Sequence, residues 1–152
     1  MTKAEEMGAK IATAIAAIPG FTGVRVEQMV EPNDIWELGH ANSLIGVCYD
    51  GFDTEGPQPI VPRNSTNGKA TFRLVAYGFS LASPIAARTK SLGADVLAEG
   101  LRALRTVPIG PASQPQVFLQ LRGEQLMSHP DRSANGGPVA FVCTYTTTNL
   151  NV

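Results

Sequence analysis

The run Leu44-Ile45-Gly46-Val47-Cys48-Tyr49 is the tightest constraint on what this chain can fold into. An apolar stretch with almost no polar break fits a central strand buried on both faces, so its sheet needs cover on each side. Around it, with the central strand taken as Ser43–Gly51, Val24–Val30, Ala70–Phe79, Gln116–Met127 and Pro138–Thr147 read as further strands. Helical stretches fall at the N-terminus and between the third and fourth strands. The reading is an α+β protein: a mainly antiparallel sheet of about five strands with two packed helices and long hairpin arms. At 152 residues the chain is one domain, 1–152, able to bury a core without disulfide or metal staples.

Local chemistry supports each element. Thr2 and Glu5 stand at capping-box spacing, which satisfies two free amide donors at a helix start. Met7, Ile11, Ala14, Ile15 and Ile18 then share one face, with Glu6, Lys10 and Thr13 outside it, and Pro19-Gly20 stops the helix. Ser83 before Pro84 starts the second helix, which runs to about Arg105 with Ile85, Leu92, Val96, Leu97, Leu101 and Leu104 inward. Gly93 and Gly100 each weaken it by about 1 kcal/mol relative to alanine and mark close approach to the sheet.

The strands alternate. Val24, Val26 and Gln28 oppose Arg25, Glu27 and Met29; Phe72, Leu74 and Ala76 oppose Arg73, Val75 and Tyr77. Val117, Leu119 and Leu121 oppose Phe118, Gln120 and Arg122, with a bulge at Gly123, and Phe141, Cys143 and Tyr145 oppose Val142, Thr144 and Thr146. Turn residues at His129-Pro130-Asp131 and Asn135-Gly136-Gly137 join the last two strands as a hairpin. Trp36 and Leu38 fit either a strand edge or a short helical turn. Phe52 to Lys69 reads as an irregular arm.

Composition narrows the function classes. Charged residues make up 16% and the formal charge is −1, which gives no bulk attraction for nucleic acid or anionic membrane. No apolar run approaches a membrane span, and Lys3, Glu5 and Glu6 stand where a signal peptide would turn apolar, so a soluble protein made in a cytoplasm is expected. Cys48 and Cys143 lie in apolar strand patterns and read as buried free thiols.

A search for reaction chemistry returns little. His40 and His129 sit in loop-like sequence, and a pairing of Cys48 with either is not required by any spacing. His40, Asp50, Asp53, Glu55 and Asp131 are the plausible metal ligands, yet none has zinc-motif or calcium-loop spacing. Gly51–Gly56 lacks the lysine and hydroxyl of a phosphate loop. The expectation is no enzyme, no cofactor and no metal.

The arm is the sharper signal. Pro59 and Pro62 flank Ile60 and Val61 and remove ladder donors, so this apolar pair either folds back on its own core or packs on a neighbouring subunit. Low charge and long hairpins favour a neighbour, and Ile60, Val61, Arg63 and Arg73 are the candidate oligomer or partner interface.

The starting helix, the first strand and the central strand ending Tyr49-Asp50-Gly51, followed by a polar loop, an aromatic strand (Phe72, Tyr77, Phe79), a helix and a closing hairpin, resemble the tail-terminator proteins of tailed bacteriophages. The pattern is most similar to the Mu-like tail completion group of contractile-tailed phages and related particles, and covers almost the whole chain. The resemblance implies a homo-oligomer, a hexameric ring that caps the tail tube, ends tail polymerisation and joins the tail to the neck and head of the virion. Its implied partners are the tail tube protein, the sheath protein and neck or head-completion proteins, with DNA passing through the lumen without specific binding and no membrane. Another neck or head-completion ring protein is the alternative, and a small cysteine–histidine enzyme a remote one.

Overall fold

The computed structural model describes residues 2–19, 21, 24–39, 44–54, 67–77, 103–128 and 139–151. Helix α1 (Lys3–Ala16) leads into strand β1 (Arg25–Met29), and a 3-10 turn (Pro32–Asp34) runs into the short helix α2 (Ile35–Gly39). Strands β2 (Leu44–Thr54) and β3 (Asn67–Tyr77) follow, then a 3-10 turn (Ala103–Thr106), β4 (Leu119–Ser128), β5 (Val139–Thr147) and β6 (Leu150–Asn151). The expected α+β class is observed: one mixed sheet in the order β1-β2-β3-β5-β4, with β6 continuing alongside β3 at Asn67 and Gly68.

All neighbours are antiparallel except β1 and β2, which run parallel with Arg25 beside Leu44 and Met29 beside Cys48. A parallel pair cannot be joined by a tight turn, so the chain crosses over through the α2 segment. That crossover gives α2 its place. Ile35 is fully buried against Leu44, Cys48, Val75 and Val142, with Trp36 packed alongside, and the Trp36 Nε1–H donates to Asn33 Oδ1 at 3.2 Å.

The opposite face carries α1. Met7, Ile11 and Ile15 lie over Ile45, Val47, Phe72, Leu74, Cys143 and Tyr145. Leu44 through Cys48 are therefore all buried, alternately against one layer and the other, as the unbroken apolar run demands. Cys48 and Cys143 are buried thiols that are not joined in a disulfide.

The helix start matches its capping-box spacing: the Thr2 N–H donates to Glu5 Oε2 at 2.6 Å and the Glu5 N–H to Thr2 Oγ1 at 3.2 Å. The Thr2 backbone and hydroxyl bonds hold the Glu5 carboxyl below the usual carboxylate range. Glu6 and Lys10 are not simply solvated. Lys10 Nζ donates to the Gly110 carbonyl, and the Ala112 N–H donates to Glu6 Oε1 at 3.4 Å. These two side chains tie the 107–117 connection to the helix.

One expectation needs correction, and one open alternative is settled. The arm is not irregular from Phe52 to Lys69, because β2 continues to Thr54 and β3 begins at Asn67, with Thr54 opposite Gly68 and Asp53 opposite Lys69. The backbone ladder carries these legs whatever their side-chain polarity, and the approach is close: a Cβ on Gly68 would stand 2.1 Å from the Asp53 carbonyl oxygen. The Trp36–Leu38 segment is the helical turn of the two alternatives. The helix expected from Ser83 lies outside the described residues except near its end, where Ala103–Thr106 form a 3-10 turn.

Candidate functional site

In a regular strand Tyr49 and Phe52 would point to opposite faces of the sheet. In β2 they share one, because the register breaks between them: Tyr49 stands opposite Phe72, Gly51 opposite Thr71, and Asp50 is the extra residue of a bulge. Gly51 has φ 125, a region that only glycine enters without strain. After the bulge Phe52 stands opposite Ala70 and packs on the α1-side core. The second bulge, at Arg122 in β4, works alike: Leu121 stands opposite Tyr145 and Gly123 opposite Thr144, so the α1-facing parity passes from odd to even positions. The expected bulge near Gly123 is thus observed.

Beyond the N-terminal end of α1 the β2–β3 pair runs on with no helix above it among the described residues, and an apolar cleft of about 630 Å³ opens there. Buried Val47, Ala70 and Phe72 form its floor, Met7 and the first turn of α1 one wall, and Tyr49, Phe52 and Leu150 the rest. The Tyr49 and Phe72 rings lie 5.5 Å apart, tilted by 60°. Val30, 84% exposed just past β1, and Tyr49, 43% exposed, line the opening. Polar groups lie along it at Thr2, Lys3, Glu5 and Gln28. Partial burial pushes the Tyr49 phenol up, so it stays a neutral donor at ordinary pH. The size suits an inserted apolar side-chain cluster, and fully burying one such side chain contributes about 1.5–3 kcal/mol.

On the other face of the same bulge, Asp50 meets Arg73. Arg73 Nε lies 3.1 Å from Asp50 Oδ2, at ion-pair distance but without an N–H directed at an acceptor. Cys48, the cross-strand neighbour of Arg73, is 1% exposed, and desolvation first, then the nearby Asp34 and Asp50 carboxylates, push its thiol up to about 12. A thiol so placed stays protonated at neutral pH and is a poor nucleophile.

Of the interface residues expected from sequence, Arg73 is engaged with Asp50 inside its own chain, on the face away from the cleft. Ile60, Val61 and Arg63 lie outside the described residues, as do His40, His129, Glu55 and Asp131. Among the described residues no group of three His, Cys, Asp or Glu side chains is gathered to hold a metal, and no helix is long and apolar enough to cross a membrane. Sequence reading missed the cleft. Its signal was the Asp50-Gly51 dipeptide, a bulge-permitting pair between two aromatics whose spacing of three otherwise splits them across the sheet.

The chain is an α+β protein built on one mixed sheet with an apolar cleft at one corner. No protein-family model matches it, and no curated protein matches its sequence.

Proposed function

We propose that this protein works by docking, as a structural subunit of a phage tail or phage-derived tail: a tail-terminator-like ring protein that caps the tube and joins it to the neck. The observation that carries the reading is the open apolar cleft with Val30 and Tyr49 at its mouth, a surface that gains by being covered. The order of elements, which resembles that of tail completion proteins, gives the more specific assignment. The protonated, buried Cys48 thiol weighs against the cysteine–histidine alternative.

In this reading each copy inserts into one neighbour's cleft and receives the other neighbour in its own, the head-to-tail contact that closes a ring. The test is sedimentation of the purified protein over a wide concentration range, electron microscopy of the assembled species, and binding to purified tube ends. Rings that cap tube ends are expected. Monomers at all concentrations, with normal tail length after deletion of the gene, overturn the reading, and binding to the portal-side complex instead of tube ends transfers it to a neck protein.

A further inference from the structure

We propose that the Asp50–Arg73 ion pair, on one face of the sheet, is a positioning device for the apolar cleft on the other; the inference rests on the cleft being the docking site of the proposed function. The two faces are coupled by the bulge. Asp50 is the one residue of β2 without a register partner between Tyr49 and Gly51, and its side chain turns to the α2 side, where Arg73 stands in the row of Cys48 and Val75. Only while Asp50 is set aside in this way does Phe52 fall opposite Ala70, beside Tyr49, on the α1 side. If the extra residue rejoins the ladder, every position after it moves by one and Phe52 leaves the cleft.

The local chemistry fits a switchable register rather than a locked one. A Cβ built on Gly51 would meet nothing within 4 Å, so no packed side chain holds the bulge from that side, and its φ of 125 supplies the unusual backbone angle. Both members of the ion pair are over a third exposed, at 39% and 38%, so the clamp is moderate in strength and sensitive to salt. Asp50 and Arg73 are therefore positioning residues for a surface neither of them lines.

The test uses the full chain and 8-anilinonaphthalene-1-sulfonate as an apolar probe of the cleft, with the thermal midpoint as a folding control. Asp50→Asn and Arg73→Gln should each weaken probe binding roughly two- to fivefold, the range an exposed ion pair can carry, with little change in midpoint. The charge-swapped double variant, Asp50→Arg with Arg73→Asp, should restore part of the loss. Nuclear Overhauser contacts between the Phe52 ring and the Ala70 methyl should weaken in both single variants, while those between Tyr49 and Phe72 persist. Deletion of Asp50 leaves Tyr49, Gly51 and Phe52 on consecutive ladder positions opposite Phe72, Thr71 and Ala70, a register that needs no clamp, so in that background Arg73→Gln should no longer change probe binding. Unchanged probe affinity in both single variants, no probe binding by the wild-type chain, or an undiminished Arg73→Gln effect in the deletion background overturns the proposal. Because the readout is the cleft itself, a failure of ring assembly leaves this test standing.

Discussion

Tyr49 and Phe72 stand opposite each other in the β2–β3 ladder, their ring centroids 5.5 Å apart and their planes tilted by 60°. Phe72 is fully buried, Tyr49 is 43% exposed, and the pair marks where the core becomes surface. Directly opposed aromatics of this kind contribute roughly 0.5–1.5 kcal/mol beyond their burial. The exposed partner is the better probe of function.

Tyr49→Ser together with Val30→Ser should therefore lower the stability of the isolated chain by about 1–2 kcal/mol, mostly through the lost ring pair, because Val30 is already in solvent. Assembly should fall far more. Sedimentation velocity beside a thermal melt separates the two effects, and intact assembly in the double variant removes the cleft from the interface.

Gly51→Val places a β-branched residue at φ 125, where strain of roughly 1–3 kcal/mol is expected although its surroundings are open. Denaturant titration should show that loss. No loss would mean that the bulge relaxes to a register that valine accepts.

Two glycine-to-alanine changes should differ in a defined order. At Gly46 the new methyl meets Met29 Cε at 2.0 Å and Sδ at 2.5 Å, the end of a flexible side chain that can swing away. At Gly68 it meets the Asp53 carbonyl oxygen at 2.1 Å, fixed backbone of the paired leg. Gly68→Ala should be the more destabilising, and amide exchange should open Asp53 and Lys69 first.

Lys10→Met keeps the stem and removes the ammonium that binds the Gly110 carbonyl. A loss of about 1.5–3 kcal/mol is expected for a charge-assisted bond in a part-buried site. Exchange protection should drop at Ile109 and Val117, whose N–H and carbonyl pair at 2.9 Å within the tethered connection.

The Cys48 thiol gives a pH signature. Its folded value, raised from 9.0 to about 12, means that below about 9 both folded and unfolded chains keep the proton and nothing is lost. Between about 9 and about 12 the unfolded chain releases it while the folded chain holds it, so stability falls with rising pH by about 1.4 kcal/mol per unit. Cys48→Ala should flatten that alkaline slope by one proton. A thiol dye at pH 8 should label Cys48 only after unfolding.

Much of this fold is legible residue by residue. The capping box, the inward stripe of Met7, Ile11 and Ile15, and the alternation of Phe72, Leu74 and Ala76 are local facts written into spacing, and the structure reproduces them. So is the double burial of Leu44 to Cys48, since an unbroken apolar run has no face to give to water. The site was less legible because its parts are not neighbours in sequence. Met7, Tyr49, Ala70 and Leu150 meet only when strands far apart in the chain pair, and Lys10 finds Gly110 across 100 positions.

The amino-acid sequence by itself determined the capped first helix, the doubly buried central strand and the inward faces of α1 and β3, because period and capping depend on residues a few places apart. Tertiary structure alone decided that β1 runs parallel to β2, that Asp50 steps out of the ladder toward Arg73, and that the apolar surface beyond α1 stays open as a cleft. Those outcomes depend on which strands compete for each edge and how far the helix reaches over the sheet, balances settled between distant segments and invisible in any short window of the chain.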